Sequence, residues 1–262
     1  MMRSLAEKLA RKIVLRRRLD NEFGRRPFWA SPDSALSLLK PGFETFEDLA
    51  EVCRTFVKPG DCIWDIGGNL GLFSLMAAHR AGADSVTVCI EPDPVLASLV
   101  QRTVLLPENT DRLIHVLCSA VSNESGIAQF AVAARGRSSN SLSVAGGRSQ
   151  AGGVRYEQYV PTVTVDQLLG SFPSPNLIKI DVEGAEEMVL RGAERTLTEC
   201  RPFVYIEVGA DHINGVTRTL DRHGYSLFDP MRPASGEPIR ECCFNTLAIP
   251  SECVDAHRQK AA

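Results

Sequence analysis

The chain has 262 residues, of which 44% are hydrophobic and 23% charged, with a formal net charge of −3. That length and balance fit one large soluble domain with a short appendage and exclude a disordered or fibrous chain. Residues 1–26 carry nine of the Lys and Arg but three of the acids, so a head with six surplus positive charges precedes a body with nine surplus negative ones. An acidic body does not read as a nucleic-acid binder, which needs a basic face.

In chain order, Leu5, Ala6, Leu9, Ala10, Ile13 and Val14 recur at helical spacing among basic residues. They predict a basic amphipathic helix over residues 3–20, with residues 3–18 placed for peripheral contact with an anionic membrane or for packing on the body. Pro27 and Pro32 punctuate residues 28–33, and residues 44–56 read as a short helix. Strand and helix then alternate: strand 62–66, helix 70–80, strand 86–91, helix 94–105, strand 113–121 and strand 128–133. Residues 134–153, rich in Gly, Ser and Arg, read as a mobile loop. Strand 159–165, a short helix after Asp166, strand 177–181, helix 185–199, strand 203–208 and helix 212–223 follow, and residues 225–228 and 245–249 close as an antiparallel pair.

This order predicts an α/β fold, a Rossmann-like doubly wound and mostly parallel sheet with an antiparallel C-terminal edge strand. The expected organisation is an N-terminal helical extension over 1–54, a main domain over 55–250 and a tail over 251–262. Eight irregularly spaced cysteines with no CxxC pair argue against a zinc site or a disulfide scaffold. The longest run without Asp, Glu, Lys or Arg has 14 residues, too short to span a bilayer. No secretory signal is apparent, and the expected compartment is the cytoplasm.

The first βα turn reads Asp65-Ile66-Gly67-Gly68-Asn69-Leu70-Gly71. In a doubly wound sheet the ligand lies at the carboxyl ends of the strands, so this turn must let a ligand approach the backbone. The dinucleotide fingerprint G-x-G-x-x-G fails in both registers, because Asn69 and Leu72, or Leu70 and Phe73, stand where glycines are required. No Gly-Lys-Ser/Thr follows, which excludes a Walker A loop. Glu91 ends the next strand, 20 residues after Gly71, where an acid can accept hydrogen bonds from both hydroxyls of a ribose. Asp93, two residues on and just before Pro94, reads either as a helix N-cap or as a second contact to the nucleoside.

The pattern D-x-G-x-N-x-G resembles the D/E-x-G-x-G-x-G motif of class I S-adenosylmethionine-dependent methyltransferases, with Asn69 at the middle glycine. Downstream stand Val165-Asp166-Gln167-Leu168-Leu169, the run Lys179-Ile180-Asp181-Val182-Glu183-Gly184-Ala185-Glu186, and Pro202-Phe203-Val204-Tyr205-Ile206-Glu207. Together with Glu91-Pro92-Asp93-Pro94, they resemble the FkbM family of methyltransferases over residues 55–210. The resemblance implies S-adenosylmethionine as cofactor, held by Asp65, Gly67, Gly68, Asn69, Gly71, Glu91 and Asp93. It also implies methylation of a hydroxyl on a small molecule, polyketide, sugar or glycan.

A hydroxyl acceptor has to be aligned and has to lose a proton, so carboxylates at the cofactor face are the natural candidates. Asp181, Glu183 and His212 are the expected catalytic residues, with Lys179 and Glu207 as further candidates. Asp181, Glu183 and Glu207 also suit a magnesium ion, but scattered acids on two strand ends do not predict one. Alternatives are N- or C-methylation on the same scaffold, although no N/D-P-P-Y/F motif follows strand 177–181, a catalytically silent binding module, and a nicotinamide oxidoreductase.

Overall fold

The computed structural model describes residues 13–34, 36–39, 46–134, 136–143, 153–230 and 237–255. Residues 3–12 of the predicted basic helix therefore lie outside the described residues. Its end is not helical: Leu15–Arg18 form strand β1, paired antiparallel with β2, Pro27–Ala30. The chain reverses through Gly24 and Arg25, both at positive φ, and Leu19 N–H closes the hairpin on the Arg26 carbonyl. Tertiary partners override the local helical pattern here. Arg16 and Arg18 both reach Glu108, while Phe23 and Phe28 are buried in the main core. Each such phenylalanine contributes about 1.5–3 kcal/mol, so residues 15–30 are fastened to the body.

Helix α1 spans Glu47–Phe56. The predicted alternation then appears as β3 (Ile63–Ile66), α2 (Leu72–Ala81), β4 (Val86–Ile90), α3 (Pro94–Val104) and β5 (Leu113–Leu117). The strand predicted over 113–121 breaks at Cys118 and Ser119, and Ala120–Val121 form β6 in a different sheet. Strands β7 (Gly126–Ala133), β8 (Ser141–Leu142) and β9 (Val154–Val163) belong to that second, four-stranded sheet, in order β6-β9-β7-β8. At the break the Ser119 hydroxyl donates to the Pro161 carbonyl on β9, 42 residues away, and ties the turn to the second sheet.

After the short helix α4 (Val165–Leu168) come β10 (Leu177–Ile180), α5 (Glu186–Arg191), β11 (Phe203–Glu207), α6 (Ile213–Arg222), β12 (Tyr225–Phe228) and β13 (Asn245–Pro250). The helix predicted over 185–199 stops at Arg191, followed by a π-type turn at Thr196–Cys200. The main sheet has seven strands in the order β12-β13-β11-β10-β3-β4-β5. The described strands β3, β4, β5, β10 and β11 pair in parallel, and β13 enters antiparallel between β11 and β12. The mostly parallel, doubly wound sheet with an antiparallel C-terminal edge is thus present, with β12 outermost.

Helices cover both faces because every residue of β3 and β10 is buried, which leaves each strand no solvated side. The chain leaves β3 toward β4 and β5, then returns to β10 on the opposite flank. Strand order therefore reverses between β3 and β10, and ligands bind in the crevice at such a point.

Candidate active site

At the reversal point the turn after β3 and the end of β10 touch. Gly67 sits at φ +78, and a Cβ on it would lie 1.9 Å from the Asp181 carbonyl oxygen. No side chain fits there, which is why glycine is required. G67A is expected to lower stability by at least the ~1–3 kcal/mol of a forced backbone conformation, read as a fall in the thermal denaturation midpoint. A Cβ on Gly68 would lie 2.2 Å from Cys89 Sγ and one on Gly71 2.8 Å from the Val100 side chain, so the motif glycines serve contacts within the protein as well as any ligand. Asn69 adopts φ +52, a left-handed conformation in which Asn is enriched among non-glycine residues. That accounts for asparagine at the middle glycine of the motif.

Asp65 is fully buried beneath this turn. One oxygen accepts from Ser74 Oγ at 2.6 Å and Ser74 N at 3.2 Å in the first turn of α2. The other lies 3.2 Å from Lys179 Nζ. Lys179 also donates to the Gly67 carbonyl at 3.3 Å and pairs with Asp181 Oδ2 at 3.2 Å. Burial alone would lower the lysine pKa, but Asp181 and Asp65 outweigh it and hold it above the ordinary range. Lys179 is therefore a fixed cation and no proton acceptor. K179M leaves Asp65 as a buried charge without its counter-ion, and a loss of about 3–5 kcal/mol is expected, read from the midpoint of urea unfolding.

Two cavities of about 290 Å³ each open at the carboxyl ends of the strands. The first is bounded by Gly67, Glu91, Ser119, Phe130, Leu142 and Glu183. The second is bounded by Gly68, Phe73, Lys179, Tyr205, Asp48 and Phe244. Asn69, Asp181 and Glu207 line both. Glu91 is 5% exposed, and its two oxygens accept from backbone N–H groups of Asn69 and Asp93, each at 2.8 Å. Burial raises its pKa to about 8, against the pull of those two donors and with the charges of Asp93 and Asp65 adding to the rise.

The other predicted residues divide. Gly67, Asn69, Glu91, Asp181 and Glu183 come together around the first cavity, and Gly68 faces the second. Asp65, Gly71 and Asp93 line neither. Asp93 caps α3 through Val95 N–H at 2.9 Å, and its other oxygen is held by Arg137 and by Asn140 Nδ2. His212 also lies outside both cavities, with Nδ1 3.5 Å from Glu187 Oε1 on α5. Among the described residues no group of three or more His, Cys, Asp or Glu side chains is close enough to hold a metal ion.

Within the stretch 134–153, predicted as a mobile loop, the described residues 134, 136–143 and 153 are held: Ala134 N–H bonds the Gly153 carbonyl at 2.9 Å. Arg137 Nε and its backbone N–H bond Asp33, each at 2.9 Å, while Ser139, Asn140, Ser141 and Leu142 form a wall of the first cavity. Ser34 is equally unannounced by any motif; its hydroxyl donates to the Asn69 side chain.

A family profile for the methyltransferase FkbM domain matches residues 65–227, the stretch from the buried aspartate of β3 to β12. The chain belongs to the FkbM methyltransferase family. It is also 28% identical over 172 residues to the hexuronic acid methyltransferase AglP of Haloferax volcanii, over 63% of this chain and 62% of that protein. The chain thus spans less than two thirds of the length of this curated relative. Among solved structures it resembles an FkbM methyltransferase from Methylobacillus flagellatus KT, at a TM-score of 0.45 and 15% identity, over 76% of this chain and 50% of that one. It also resembles the precorrin-6Y C5,15-methyltransferase of Geobacter metallireducens GS-15, at a TM-score of 0.46 and 12% identity, over 78% and 86% of the two chains.

Proposed function

We propose that this FkbM-family protein uses S-adenosylmethionine to methylate a hydroxyl group of a sugar or glycan. The observation that carries the reading is Glu91, a carboxylate held in the wall of the first cavity by two backbone N–H groups, one strand away from the glycine turn. A carboxylate so held can accept from two neighbouring hydroxyls, the chemistry a ribose offers. The residues fit the group. Glu91 and Asn69 would hold the nucleoside side, Ser119, Ala120 and residues 139–142 would close over it, and the Gly67 backbone lines the same cavity. When bound, S-adenosylmethionine supplies an electrophilic methyl carbon on a sulfonium.

Asp181 supports the second half of the reading. It lines both cavities, its side chain is 43% exposed, and one oxygen is steadied by Lys179. It is therefore the proposed acceptor of the hydroxyl proton, with Glu183 and Glu207 beside it in the first cavity. A sugar acceptor is suggested by the name of the Haloferax relative. Full-length protein mixed with S-adenosylmethionine and a panel of hexoses, hexuronic acids and their glycosides is expected to add one methyl group to a member of the panel, read by mass spectrometry. No binding of S-adenosylmethionine or S-adenosylhomocysteine by calorimetry would sink the proposal.

A further inference from the structure

Glu91 is the centre of the proposed cofactor site, and its orientation depends on residues far from it in sequence. Its Oε2 is held by Asn69 N–H and its Oε1 by Asp93 N–H, each at 2.8 Å. Asn69 is kept in its left-handed conformation next to Ser34, whose hydroxyl donates to the asparagine side-chain oxygen. Asp93 is gripped by Arg137 Nη1, and Arg137 is itself fastened to Asp33 by its Nε and its backbone N–H. Arg155 adds a two-point contact to Asp33 at 2.8 and 2.9 Å. Both arms thus begin at adjacent buried residues, Asp33 at 7% and Ser34 at 4% exposure, which precede the family-matched stretch 65–227.

We infer that Asp33 and Ser34 are positioning residues for Glu91, aiming the two backbone donors that fix its carboxylate in the wall of the first cavity. The inference rests on the proposed function for the identity of the ligand, and on hydrogen-bond geometry for everything else. A carboxylate held by two well-aimed N–H donors favours its charged form, and loosening either donor favours the protonated one. The groups facing Glu91 are the carboxylates of Asp93 and Asp65 and the thiols of Cys89 and Cys118. Arg137 lines the same cavity and pairs with Asp93 as well as Asp33. Removing the Ser34 hydroxyl alters none of these charges, so a change at Glu91 in S34A reports the donors. Removing the Asp33 charge takes a counter-charge from Arg137 and Arg155, which acts to lower the Glu91 midpoint, so a rise in D33N reports a loss of donors that exceeds it.

The test uses full-length protein carrying 13C-labelled glutamate carboxyl carbons, with the Glu91 resonance assigned by its loss in E91Q. In S34A and in D33N the Glu91 titration midpoint is expected to rise by about half a pH unit or more, and affinity for S-adenosylhomocysteine at pH 7 to fall about threefold to tenfold. S34T, which keeps the hydroxyl, is expected to restore both. The midpoint decides. If it stays at the wild-type value in S34A and D33N, the two residues are merely structural and the inference is overturned, whatever happens to affinity. Wild-type protein that binds no S-adenosylhomocysteine sinks the proposed function instead, and the titration still decides the role of Asp33 and Ser34.

Discussion

Replacing Glu91 by Ala is expected to weaken S-adenosylhomocysteine binding by about a hundredfold or more, the combined loss of two charge-assisted hydrogen bonds at about 1.5–3 kcal/mol each. The same loss leaves the Asn69 and Asp93 N–H groups without their acceptor at the cavity wall. Wild-type binding should also depend on pH. Burial raises the Glu91 pKa to about 8, whereas hydroxyl donors of the ligand favour the carboxylate. Binding then releases a proton below that value, and affinity rises toward tenfold per pH unit up to about pH 8 before levelling. Calorimetry in buffers of different ionisation enthalpy reads the released proton directly. Affinity independent of pH between 6 and 8 would mean that Glu91 is already ionised in the free protein. The effect on stability has the opposite sign. A folded-state pKa raised above the ordinary 4.5 favours the protonated fold, so Glu91's contribution is fully present below about pH 4.5 and is lost as pH rises through about 8.

D181N is expected to reduce methyl transfer about 10²–10⁴-fold, the usual contribution of a positioned proton acceptor, while S-adenosylhomocysteine affinity changes by less than about tenfold. The amide nearly preserves shape but loses both the basic oxygen and the pairing with Lys179 at 3.2 Å. Because Asp181 faces both cavities, the loss should fall on kcat more than on binding. H212A is the matched control. His212 is turned toward Glu187 and lies outside both cavities, so turnover should stay within about twofold of wild type, the effect of a change remote from the chemistry. Undiminished turnover in D181N would move the proton acceptor to Glu183 or Glu207, and a large loss in H212A would return His212 to the site.

Much of the fold was legible because hydrophobic period and turn chemistry agree locally along β3, α2, β4 and α3, whose predicted bounds match the structure to within two residues. Short strands that depend on distant partners were harder. Val14 to Leu19 carries a helix-compatible pattern, yet Leu15 and Arg17 stand opposite Ala30 and Phe28 in a hairpin. Nothing local reveals that pairing. The second sheet was missed for a similar reason. Strands predicted at 113–121, 128–133 and 159–165 read equally well as members of one sheet, and only the turn at Ser119 divides them.

The candidate site divides along the same line. By itself the sequence determined the glycine turn, the acid ending the second strand and the carboxylate ending β10, because these are local solutions to a strand that must stop beside a ligand. The tertiary structure alone decided what each carboxylate does. Asp65 and Lys179 neutralise each other beneath the turn, Asp93 caps a helix and is held by Arg137, and His212 faces away. It also brought in Asp33 and Ser34, which carry no motif and act through Arg137 and Asn69. The physical reason is that a motif specifies backbone shape over a few residues, whereas the ionisation and aim of a side chain also depend on partners as far as 122 residues away.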